Sequence, residues 1–164
     1  MTADPDVTLS NVAGVAQFLA KQVDLTDASI WIIESDPAVA SYGSTLPAIV
    51  GFRNSSNAFE TATEWTQDVP VGYDFAIGIS GNAPTSTTPL LWTRALETTG
   101  TWGQDSPWGL GGHIAYLDGH VSFYTELGPE DGQLVDPDDG SLTTNIEDIH
   151  VPANIMTAPD YTGS

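Results

Sequence analysis

The sequence has no cysteine and very few basic residues. Without cysteine there are no disulfides, no thiol nucleophile and no cysteine-ligated zinc. Lys plus Arg number 3 against 22 Asp plus Glu, for a formal net charge of −19. So negative a field repels nucleic acid and anionic membrane surfaces, and it favours cations and basic surfaces. No run approaches the ~20 apolar residues that span a bilayer. The opening Met1-Thr2-Ala3-Asp4-Pro5-Asp6 is polar and acidic, with no basic segment leading into an apolar one. Either the protein is soluble as it stands, or the segment lacks a native leader. Nucleotide fingerprints and the Gly-x-Ser-x-Gly nucleophile elbow are also missing. Ile79-Ser80-Gly81 does not form that elbow. No Lys follows Gly109-Leu110-Gly111-Gly112, which reads as a loop that lets another part of the backbone come close.

What is present suffices for a core. The 164 residues are 40% hydrophobic and include five Trp, which argues against global disorder. That length favours one domain, taken as residues 1–164.

Residues 7–24 predict a helix, because Val12, Val15, Ala16, Leu19 and Val23 recur at spacings of three and four. Ser10 or Asn11 is its expected cap. Thr26 or Asp27 would cap a short second helix over 28–34, although Ile30-Trp31-Ile32-Ile33 also suits a strand. From Pro37 to Pro70 the chain reads as loop, with room for a short strand at 48–52. The sheet is expected over about 70–127, with strands at 73–80, 89–96, 113–117 and 120–124. Asp118-Gly119 between two apolar runs is a strong hairpin signal. Pro129-Glu130-Asp131-Gly132-Gln133-Leu134 recurs eight residues later as Pro137-Asp138-Asp139-Gly140-Ser141-Leu142, two Pro-initiated turns closed by Gly. Residues 128–164 are expected to form an acidic loop and an extended tail. A helix, an irregular stretch and then antiparallel strands predict an α+β fold, with the N-terminal helix packed on an antiparallel sheet.

His113, Asp118 and His120 are residue types that ligate zinc or run acid–base chemistry. A two-residue loop would set Tyr116 opposite Val121, Ile114 opposite Phe123 and His113 opposite Tyr124. Ile114, Tyr116, Val121 and Phe123 would then form the core face. The two histidines would lie on the other face at opposite ends of the ladder. Four residues of strand span about 13–14 Å, and zinc ligands sit only ~2 Å from the metal, so one ion would not reach both. Asp136-Pro137-Asp138-Asp139-Gly140 has the look of a compressed calcium loop, with Glu130 and Asp131, or Glu147 and Asp148, available to complete a shell. The same acids also read as solvated turns. Arg94 on a strand suits an ion pair or an aromatic stack. Trp102 and Trp108 either form a carbohydrate platform or cap the edge of the core.

From Ser106 to Phe123 the chain resembles the prepilin-type processing-associated domain. That signature is a His, nine residues, then Asp-Gly, often continuing as Asp-Gly-His-Val. Asp118-Gly119-His120-Val121 matches it, and Trp108 stands where the signature His falls. The resemblance implies a pilin-like fold, in which residues 7–24 are the C-terminal half of a long pilin helix whose apolar half and peptidase site are absent here. It implies a non-enzymatic structural subunit of a type II secretion or type IV pilus-like assembly. Such a subunit would be extracytoplasmic, would be anchored by the missing helix and would have other pilin-like subunits as partners. It also implies calcium in the acidic loop, at Glu130, Asp131, Asp136, Asp138 and Asp139. The alternatives are a calcium-dependent glycan-binding module using Trp102 and Trp108, and a small metal-dependent hydrolase using His113, Asp118 or His120.

Overall fold

Asn11 opens the first helix. Its side chain accepts a hydrogen bond from the Gly14 N–H at 3.3 Å, and the helix, α1, runs Val12–Val23. The structure is a computed structural model that describes residues 9–159, so the start of the expected helix, residues 7–8, lies outside the described residues. Asp24 ends α1 in the left-handed conformation, at φ 62°. The buried face is Val12, Ala13, Val15, Ala16 and Ala20, while Val23 at the helix end is 65% exposed.

The chain divides into two compact units, one reaching to Gly72 and taking in the chain again from Thr157, the other spanning Tyr73–Met156. In the first unit α1 packs against a hairpin of β1 (Gly51–Arg53) and β2 (Phe59–Thr61). Its small buried residues let the Trp65 indole reach the backbone, where Nε1 donates to the Ala13 carbonyl at 3.1 Å. Arg53 donates to the Lys21 carbonyl at 2.7 Å, which places a cation at the negative end of the helix.

Two expectations fail in this unit. Residues 28–34 form turns, not a helix or strand, although Asp27 accepts from the Ser29 N–H and hydroxyl, at 2.9 and 2.7 Å, in the manner of a cap. The second helix, α2, forms instead at Pro37–Ser41, inside the expected loop. Asp36 caps it by accepting from the Ala38 N–H at 2.7 Å, and Pro37 supplies a helical φ at the first position.

The second unit is built on a five-stranded antiparallel sheet. Its strands are β3 (Tyr73–Ala76), β4 (Pro89–Thr93), β5 (Gly112–Tyr116), β6 (Val121–Tyr124) and β9 (Ile155–Met156), in the order β6-β5-β4-β3-β9. A separate pair, β7 (Leu134–Val135) and β8 (Leu142–Thr143), carries the acidic loop. The fold is α+β. The expected extended tail is corrected, because Pro152–Asn154 turn as a 3-10 helix and deliver β9 to the free edge of β3. Ala76, Trp92, Trp102, Ile114, Tyr116, Leu127, Leu134 and Ile146 form the core of this unit. Among the described residues no helix is long and apolar enough to cross a membrane.

Candidate functional site

The Asp118-Gly119 hairpin forms, but with a three-residue loop. Tyr116 N–H donates to the His120 carbonyl at 3.0 Å and Gly119 N–H to the Tyr116 carbonyl at 2.9 Å, with Gly119 at φ 89°. This is a turn followed by a left-handed glycine, the usual three-residue hairpin. The ladder therefore runs Gly112↔Tyr124, His113↔Phe123, Ile114↔Ser122 and Ala115↔Val121. That is one residue away from the expected register, and a slip of one exchanges the two faces of a strand. Ile114 and Tyr116 stay inside, and the Tyr124 hydroxyl lies 2.8 Å from that of Tyr116. Burial, helped by this contact, pushes the Tyr116 phenol well above its usual pKa. Val121 and Phe123, expected in the core, are 57% and 50% exposed.

The outer face of this edge hairpin is consequently aromatic. His113 stands edge-on to Phe123, with ring centroids 5.0 Å apart, and to Trp108, at 5.5 Å. Trp108 is exposed, as is Leu110 in the same turn, and β6 is the last strand of the sheet. Trp108, in the place of the signature His, thus belongs to an apolar patch. Trp102 does not, because it is buried and its Nε1 donates to the Thr93 carbonyl at 3.0 Å, so it caps the core.

His120 and Asp118 sit at the hairpin tip. Asp118 Oδ1 accepts from the His120 N–H at 3.1 Å and lies 2.5 Å from Nδ1, and the imidazole stacks on Tyr116 at 4.3 Å. The His120 N–H, and then its ring, hold the Asp118 carboxyl below its usual pKa. His113 lies on the outer face and does not join this pair. Two carboxylates of the acidic loop close their own turns. Asp136 Oδ1 accepts from the Asp138 N–H and Asp139 Oδ1 from the Ser141 N–H, each at 2.8 Å, while Thr125 donates to Asp131 in the preceding turn. Both turns close on left-handed glycines, Gly132 and Gly140. Glu130 is exposed in the first turn. Among the described residues no three His, Asp or Glu gather in a group that could hold a metal ion. Arg94 is buried just beyond β4.

A third histidine, absent from the sequence expectations, carries the most unusual environment. His150 is only 6% exposed, its ring stacks parallel to Trp92 at 5.9 Å, and Nε2 lies 2.8 Å from the Pro89 carbonyl. A carbonyl only accepts, so Nε2 carries the hydrogen and Nδ1 the lone pair. The ring lines a cleft of about 340 Å³ together with Ile77, Ile79, Ser80, Thr88 and Asp138. The available signal was Ile149-His150-Val151, an imidazole between two aliphatic residues.

Burial pushes the His150 pKa down, partly offset by the Pro89 contact. Above the ordinary value near 6.5 both folded and unfolded chains hold the ring neutral. As pH falls below it, the unfolded chain takes up the proton first, so stability is lost until the lower folded value is passed. The melting temperature of the wild type is therefore expected to fall more between neutral pH and about pH 5.5 than that of His150→Gln. Parallel pH profiles for the two would refute this. Comparison with known protein families, curated proteins and solved structures finds no match for this chain.

Proposed function

We propose that this chain is a non-enzymatic assembly subunit, the extracytoplasmic part of a pseudopilin-like protein, and that it docks its neighbours through the outer face of the β5–β6 hairpin. One observation carries the reading: Val121 and Phe123 are exposed on the edge strand of the hairpin that bears Asp118-Gly119-His120-Val121, and exposed Trp108, from the turn before β5, joins them through the His113 ring. Grouped apolar side chains at a surface mark contact sites, and an edge strand offers unpaired backbone groups to a partner. In this reading α1 continues an apolar pilin helix that anchors the subunit. The net charge of −19 sets the partner's chemistry. Two copies of this chain repel, so the favoured neighbour is a different pilin-like subunit with a basic surface. The glycan alternative is left with Trp108 alone, since Trp102 is sealed in the core.

The test is a photo-crosslinking amino acid at position 123, used in the native host. The expected product is an adduct with a second pilin-like protein, lost when Trp108 and Val121 are changed to Asp. Absence of any protein adduct, together with a saccharide-induced change in Trp fluorescence, would sink the reading in favour of glycan binding.

A further inference from the structure

We infer that the cleft beside His150 is a binding site for small organic amines, taking an apolar body against its isoleucines and a protonated nitrogen at its polar end. The cleft lies wholly within the second unit, between the segment that follows β3, the turn holding His150 and the tip of the acidic loop. Its walls include Ile77, Ile79 and Ile149, and its volume of about 340 Å³ is in the range of small-ligand sites.

The polar groups select the ligand. Trp31 Nε1 is the one buried side-chain nitrogen or oxygen among the described residues with no partner. His150 lines the cleft, and its Nδ1 makes no hydrogen bond among those residues. With Nε2 committed to Pro89, Nδ1 can only accept. Asp138 lines the same cleft, and within its own turn it uses its backbone N–H, donating to Asp136, while its carboxylate stays open. A lone pair and a carboxylate together call for a ligand rich in N–H donors and positively charged. No Lys or Arg lines the cleft to receive an anion, and the surrounding field of a −19 chain draws cations in.

Phenethylamine, 2-phenylethanol and phenylacetate share one ring and differ in the charge and donors of the head group. Titrated at neutral pH, phenethylamine is expected to move the NMR signals of the His150 ring, identified with His150→Gln, and to raise the melting temperature. The alcohol should bind about tenfold more weakly, the equivalent of about 1.4 kcal/mol, and phenylacetate should not bind. Asp138→Asn, at an exposed turn position, retains the fold and should weaken the amine about tenfold while leaving the alcohol unchanged. The inference is overturned if millimolar phenethylamine leaves the His150 signals in place. It is equally overturned if phenylacetate binds as well as the amine, or if Asp138→Asn leaves amine affinity intact.

Discussion

Gly112→Ala is expected to destabilise the second unit by about 3 kcal/mol or more, at the upper end of what overpacking costs. An added Cβ would lie 2.4 Å from Trp102 Nε1, 2.6 Å from its Cε2 and 2.8 Å from the Thr93 Cβ. None of these atoms is free to retreat. Trp102 is 4% exposed, its Nε1 is bonded to the Thr93 carbonyl, and its backbone pairs with Leu96. Gly111→Ala should be as damaging for two reasons, because the residue sits at φ 93° and its Cβ would meet the Tyr124 carbonyl oxygen at 2.4 Å. Gly109 separates these two effects. It has a positive φ of 73° and nothing within 4 Å, so alanine there costs only the left-handed strain, about 1–2 kcal/mol. Gly81, with open space and no positive φ, should tolerate alanine almost freely. Urea midpoints of the four variants measure the order directly. A Gly112→Ala midpoint equal to that of Gly81→Ala would mean that Trp102 is not wedged against β5.

The glycine run is a case where the sequence already pointed to the structure. Four residues with three glycines and no phosphate-binding Lys left close backbone approach as the simplest use; Gly111 is used that way, against the Tyr124 carbonyl, whereas Gly112 makes room for the Trp102 indole. The hairpin was legible for a similar reason, since Asp-Gly supplies the left-handed residue that a tight reversal needs. Its register was not. Two- and three-residue loops both accept Asp-Gly, and only the choice between them decides whether Val121 and Phe123 are inside. That choice depends on non-local contacts: the Tyr116–Tyr124 hydroxyl pair, and the Leu117 and Asp118 amides held by the Thr88 and Thr85 carbonyls at 3.1 and 3.0 Å. For α2 the signal was local, Asp36-Pro37, and was hidden by its Ser-, Asn- and Thr-rich surroundings. β9 was illegible because a strand of two residues has no periodicity; its existence depends on the free edge of β3. His150 escaped notice because burial of an imidazole is decided by the ring above it, Trp92, which lies 58 positions earlier in the chain.

Trp92 should accordingly be the most costly single side chain to remove from the second unit. It lies on β4, with Asp74 on one side and Ile114 on the other as register partners, and it is 1% exposed. Truncation of a buried Trp to Ala costs about 3–5 kcal/mol, the lost transfer energy plus the cavity. A further consequence follows from the parallel stack with His150. Without the indole, the imidazole loses one wall of the environment that keeps it neutral, so its pKa should move back toward the ordinary value. Trp92→Ala should therefore flatten the pH dependence of stability that burial of His150 creates, as well as lowering stability at neutral pH. The double variant Trp92→Ala with His150→Ala should cost less than the sum of the two singles, because each single change already breaks the same contact; coupling of contacting residues is about 0.5–3 kcal/mol. Additive costs would show that the two rings stabilise the fold independently, and the stacked pair would then have no energetic role in shaping the cleft.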